Sequence, residues 1–223
     1  MIISWIFFIG FTFFTYEFFA IFTKNITSDS LIKIYNALGV KLKGNVGVKV
    51  STGERGSKGY LKSDLIGPFV KLLNGTIIEC NTAYPGTRNT KEDHLKTAEK
   101  HGFTSISDVD IMDGAGEFKI PVHDGKHLEY DIIGEHFKEY DSIINLAHGK
   151  GHAMGGFGAN LKNQSIGIAS RNGKAYIHML WNSTDPGHTK MMERVDRQEG
   201  RHITEYAESL GLGSTDYELI NID

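Results

Sequence analysis

His148, Lys150, His152, Lys162 and Asn163, residues that could hold an anion or move a proton, share one short segment, AHGKGHAMGGFGANLKN at 147–163. Glycines are interspersed among them, and glycine lets the backbone take positive φ and approach a ligand closely. Gly155, Gly156 and Gly158 can therefore bring their amides against an anion. Lys162 would pair with a phosphate or carboxylate, or serve as a nucleophile or acid–base group if burial lowered its pKa. His152 is the second acid–base candidate. His148 and His152 also form an H-x3-H pair, a chelating arrangement for a divalent metal when both rings leave one helix face. Gly149 and Gly151 argue against a helix here, and two imidazoles leave a catalytic zinc one protein ligand short. Glu79, Asp113 or His178 would have to supply it. The plain alternative is that both rings hydrogen-bond loop backbone and that Lys162 is solvated.

Other segments resemble binding motifs and fail them. Gly53-Glu-Arg-Gly-Ser-Lys58 lacks the G-x-x-x-x-G-K-[ST] spacing of a phosphate loop, and 148–156 never completes G-x-G-x-x-G. Arg55, Lys58 and Arg88 are left as anion contacts or as solvated charge. Asp108–Glu117 has Met112 and Asp113 where a calcium loop of the EF-hand type needs Asp or Asn and then Gly. There is no G-x-S-x-G elbow.

The elements that must position these groups read as an α/β fold, a mainly parallel or mixed sheet flanked by helices. Strands are expected at 18–23, 45–50, 76–80, 118–122, 142–147, 165–169 and 217–222. Helices are expected at 28–38 behind a Thr27 or Ser28 cap, at 63–73 capped by Ser63, at 90–101 capped by Thr90, and at 132–137, 188–198 and 202–210. Gly102 stops the third helix. The polar, glycine-bearing loops 51–59, 81–89 and 148–162 each follow a strand. In parallel α/β sheets ligands gather beyond the carboxyl ends of strands, so these three loops define the expected site.

Composition narrows the function further. The chain has 223 residues and a net charge of −3, with no basic footprint that would point to nucleic acid. Cys80 is the single cysteine. It cannot form an intramolecular disulfide, which fits a reduced, cytoplasmic compartment, and one thiol cannot supply the usual four ligands of an iron–sulfur cluster. Residues 1–16 are strongly apolar without a basic n-region or cleavage site. They are read as a membrane anchor, a buried element or an altered start, and residues 17–223 as one domain.

Several runs together resemble a known family: VKVSTGE at 48–54, GTIIECNTAY at 75–84, 98–103 with 108–113, 148–162 and SIGIAS at 165–170. They are similar to the prokaryotic, uncharacterised iron–sulfur centre proteins, a domain-of-unknown-function family. The resemblance spans 18–178 and resumes at 180–223. It implies an α/β domain and, in many members, a cysteine-rich segment where this chain passes from His178 to Trp181. On that comparison the chain is an internally shortened member without a cluster. A fainter likeness, in the order His152, GGFG at 155–158 and Lys162, is to the N-terminal domain of nickel-pincer lactate racemases, in which the lysine anchors the cofactor.

The sequence thus leads to a redox-linked or metal-dependent domain for a small anionic ligand. His152 and Lys162 are its catalytic candidates. Lys150, Gly155, Gly156, Gly158 and Asn163 are its ligand contacts, and His148 with His152 its metal ligands. The alternative is a non-catalytic binding or assembly module whose chemistry left with the missing segment.

Overall fold

A computed structural model of the protein describes residues 19–125, 128–152, 156–184 and 218–221. The apolar run 1–16 and the helices expected at 188–198 and 202–210 lie outside the described residues.

The chain begins with strand β1 (Phe19–Phe22) and helix α1 (Ser28–Ala37). The Thr27 hydroxyl accepts from the Ser30 amide, satisfying one of the donors that every helix start leaves open. Next come β2 (Val46–Lys49), α2 (Ser63–Leu72), β3 (Thr76–Glu79), α3 (Lys91–Lys100) and β4 (Val109–Ile111). Thr90 caps α3 by accepting from the Asp93 amide, and Gly102 ends that turn at φ +80°. Ser63 is not the cap of α2. Lys62 holds that position without a side-chain bond, and Ser63 is the first helical residue.

An antiparallel hairpin follows, β5 (Glu117–Pro121) with β6 (Tyr130–Gly134), then a 3-10 turn over Glu135–Glu139. The helix expected over 132–137 is therefore a strand end and a turn. Ile132 and Ile133 are β-branched, which favours the extended chain, and they pair with Lys119 and Phe118. After β7 (Ser142–Asn145) the glycine-rich run forms a small antiparallel ribbon, β8 (Lys150–His152) with β9 (Gly156–Gly158). Helix α4 (Asn160–Gln164) and helix α5 (Arg171–Thr184) complete this part. The strand expected at 165–169 is a turn instead. Only Ala169 makes a bridge, to Ile133, because the Ser165 and Gly167 amides donate back to α4 carbonyls and the Ile168 and Ala169 amides to the Ser165 carbonyl. A last strand, β10 (Glu218–Asn221), pairs in parallel with β1.

The central sheet is parallel throughout, in the order β4-β3-β2-β7. From β2 the chain steps outward through β3 to β4, then returns to lay β7 on the other side of β2. The winding reverses between β2 and β7, the place where open α/β sheets leave a crevice at their carboxyl ends. The β5–β6 hairpin lies outside this sheet, so the fold is α/β with a four-stranded parallel sheet, an antiparallel pair and flanking helices.

Strand alternation divides the core in two. Val48, Val50 and Ile77 face Ile66, Phe69 and Val70 of α2 and Ala98 of α3. Ile78 and Cys80 face the other way, toward Met112, Ile133 and Ile168. Gly47 sits where a Cβ would lie 2.7 Å from Ile78 Cδ1 and 3.2 Å from the Tyr140 ring, so a side chain there would displace the second core. Among the described residues no helix is long and apolar enough to cross a membrane.

Candidate anion site

The carboxyl ends of β2 and β3 carry a buried ion network. Lys49 closes β2 and Glu79 closes β3, and their side chains meet at 2.9 Å with Lys49 fully buried. The Lys49 ammonium also donates to the Val50 carbonyl at 2.7 Å and to Asn163 Oδ1 at 2.8 Å, so all three of its protons are placed. Glu79 accepts from the Thr52 amide at 3.1 Å, from Arg88 at 3.1 Å and from the Cys80 amide at 3.3 Å. Burial alone would push its carboxyl up, but the Lys49 and Arg88 charges outweigh it and hold Glu79 at about 2.

Arg88 belongs to the loop after β3 and is tied into the loop after β2. Its Nε donates to Glu54 at 2.9 Å, one terminal nitrogen to Glu79, and the other to the Tyr84 hydroxyl at 3.1 Å. Glu54 also accepts from the Thr87 amide at 2.9 Å and the Thr87 hydroxyl at 2.7 Å. One carboxylate thus latches loop 51–59 to loop 81–89. Desolvation works against its charge, yet the Thr87 and Arg88 bonds win and keep its pKa low.

His94, on the inner face of α3, lies beneath this network with no exposure. Its Nε2 is 2.9 Å from the Thr52 hydroxyl and its Nδ1 3.4 Å from Asn81 Oδ1. Asn81 donates its own amide to Asp113, leaving Oδ1 as an acceptor, so Nδ1 carries the proton and the Thr52 hydroxyl donates to Nε2. Burial drives the imidazole down to about 4 and keeps it neutral.

On the β7 side, Asn163 bridges the switch point. Its amide donates to Asn145 at 2.7 Å, to the Leu146 carbonyl at 3.2 Å and to the Lys49 carbonyl at 3.3 Å. The sequence points to Asn163 as a ligand contact, and the structure places it as the seam between β2 and β7. Lys162, the next residue back on α4, is half-buried and has no hydrogen-bond or ion-pair partner among the described residues. Its pKa is lowered by burial first, then by the charges of Lys150, Arg88 and Lys49. Lys150, on β8, donates to the Gly59 carbonyl at 3.1 Å. Its pKa is lowered by desolvation of the ammonium and by Arg88. His148 keeps Nδ1 buried without a hydrogen-bond partner among the described residues. Burial and the charges of Lys150 and Lys62 hold that ring toward its neutral form.

The remaining site candidates are placed as follows. Gly156 and Gly158 are ladder partners of His152 and Lys150 in the β8–β9 ribbon. The backbone of His152 is in β8, its side chain lies outside what is described, and Gly155 lies outside the described residues altogether. No group of three or more histidine, cysteine, aspartate or glutamate side chains able to hold a metal converges among the described residues. Cys80 is buried, donates to the Ile168 carbonyl at 3.1 Å, and has its thiol pushed up to about 12 by desolvation.

Sequence reasoning missed Lys49, His94 and Glu54 as parts of this centre. A signal existed for the first. An ionisable residue closing an apolar central strand of a parallel sheet is covered on both faces and must be paired. No curated protein and no solved structure matches the chain. Its sequence does match one family over residues 46–210, a span that opens at β2 and contains every group described above. The chain belongs to the DUF362 family, a domain of unknown function.

Proposed function

We propose that this domain binds a small anion above the carboxyl ends of β2, β3 and β7, with Lys162 and Lys150 as its direct contacts and Lys162 as the proton-transferring group of an enzyme. One observation carries the reading. Lys162 is half-buried, has no hydrogen-bond or ion-pair partner among the described residues, and lies within electrostatic reach of Lys150, Arg88 and Lys49. Holding it among other cations costs free energy, and an anion would recover that cost. The lowered pKa also makes this ammonium a readier proton donor than a solvated lysine. The inner network is the scaffold, since all three Lys49 protons and all three Arg88 nitrogens already have acceptors.

The test is thermal melting with inorganic phosphate and with oxalate, in the wild type and in Lys162→Ala. A rise in Tm with either anion, absent in Lys162→Ala, supports the site. Equal melting with and without both anions removes it.

A metal-dependent reading has its own support in the orphaned Nδ1 of His148, a buried lone pair or proton of the kind that a cation or a ligand would satisfy. His148 and His152 would be its ligands. Loss of bound zinc or nickel in His148→Ala, measured by elemental analysis, tests it independently of anion binding. Iron–sulfur ligation has only the protonated Cys80 thiol to draw on.

A further inference from the structure

The charges of the centre separate into two layers. The inner layer pairs two cations with two carboxylates: Lys49 with Glu79 at 2.9 Å, and Arg88 with Glu79 at 3.1 Å and Glu54 at 2.9 Å. It is charge-balanced, and both Glu79 oxygens and both Glu54 oxygens are occupied by donors. His94 adds no charge to it. Lys174 stands beyond Cys80, where its ammonium donates to the Ala169 and Cys80 carbonyls and feels Asp113. The outer layer is different. Among the described residues Lys150 is bonded only to the neutral Gly59 carbonyl, Lys162 has no hydrogen-bond or ion-pair partner, and neither has a carboxylate in salt-bridge range. Two cations, the half-buried Lys162 and the exposed Lys150, are therefore uncompensated among the described residues, and the His148 ring, its Nδ1 buried, feels the Lys150 charge.

We infer, resting on the anion-site reading above, that the ligand's head carries two negative charges on one compact group, a phosphate, sulfate or geminal dicarboxylate, bridging Lys150 and Lys162. A single carboxylate would neutralise the half-buried Lys162 and leave the charge of the exposed Lys150, which bears on Lys162, unmatched beside it. Arg88 does not join this contact, because Glu54 already occupies its Nε edge. The dianion thus engages the β8–β9 ribbon and α4 on the β7 side of the sheet and leaves the β2–β3 network intact.

Calorimetric titration with sulfate, malonate and acetate at neutral pH tests this. The wild type should bind sulfate and malonate at least about tenfold more tightly than acetate, the increment expected of one further screened ion pair in a partly buried site. Lys150→Met and Lys162→Met should each bring that ratio close to one, Lys162→Arg should retain it, and Lys71→Met, an exposed charge on α2, should not change it. Melting curves on the same samples confirm that each variant is folded. Equal affinity for acetate and malonate in the wild type, or a ratio that survives both methionine substitutions, overturns the dianion. Binding of none of the three anions removes the anion site itself, and the two failures are therefore distinct.

Discussion

The two sides of the crevice spend their polar groups in opposite ways. On the β2–β3 side, Lys49, Glu79, Arg88 and Glu54 are linked by ion pairs and held further by neighbouring groups, and the neutral His94 is buried beneath them. On the β7 side, Lys162 and His148 Nδ1 have no hydrogen-bond partner among the described residues, while Asn163 and Asn145 are fully engaged. A closed network of charges fixes geometry, whereas an open one has free energy left to give to a ligand. The closed side should therefore govern folding and the open side binding.

The largest expected effect is on the closed side. Glu79→Ala would strand two buried cations and should cost about 3–5 kcal/mol in urea unfolding, while Lys49→Met combined with Glu79→Leu should recover most of that loss. A double variant no more stable than Glu79→Ala alone would show that the pair is not what the site needs. Next comes the open side. Lys162→Ala should lose most anion affinity, about tenfold or more, with stability changed by less than about 0.5 kcal/mol. A large stability loss there would place Lys162 with the scaffold.

Acid separates the sides as well. The folded pKa of His94 is depressed to about 4, so between its ordinary value and about 4 the unfolded chain takes up a proton that the folded one refuses. Stability is full above the unfolded pKa and is lost as pH falls through this window. Glu79, held at about 2, adds a second loss below the usual carboxylate range. His94→Gln should flatten the first part of the stability–pH curve, and an unchanged slope between pH 6.5 and 4 would argue that the ring is not buried neutral.

The smallest effect has the opposite sign. His136 bonds Asp110 at 2.9 Å at the β4 edge, and that bond raises its pKa. Its contribution is present below the unfolded pKa and fades as pH rises through the folded one. His136→Gln should cost a few tenths of a kcal/mol in mild acid and nothing in mild alkali.

Much of the scaffold could be read in the sequence because its signals are local. Thr27 and Thr90 cap helices, Gly102 takes positive φ, and apolar runs at 46–50 and 76–80 make strands. The three polar, glycine-bearing loops are legible for the same reason, each following a strand. What escaped depends on pairing across the chain. Lys49 is buried only because β3 lies beside β2 and brings Glu79 to it, a contact thirty residues away in sequence. The segment 132–137 is short enough to be taken for a helix, and its β-branched Ile132 and Ile133 are strand residues because β5 is there to receive them. Asn163 is expected among the ligand contacts of its segment, yet three backbone and side-chain acceptors around β2 and β7 claim its amide.

The thiol of Cys80 makes the molecule its own reporter. It is sealed under the turn after α4, bonded to the Ile168 carbonyl, and almost wholly protonated at neutral pH. Alkylating reagents can reach it only when the 165–170 turn lifts from the end of β3. As the chain has no other cysteine, the rate of thiol labelling records how often that turn opens. Adding phosphate or malonate and watching the rate fall would show, without any engineered probe, that occupancy of the crevice holds the segment beside Lys162 shut.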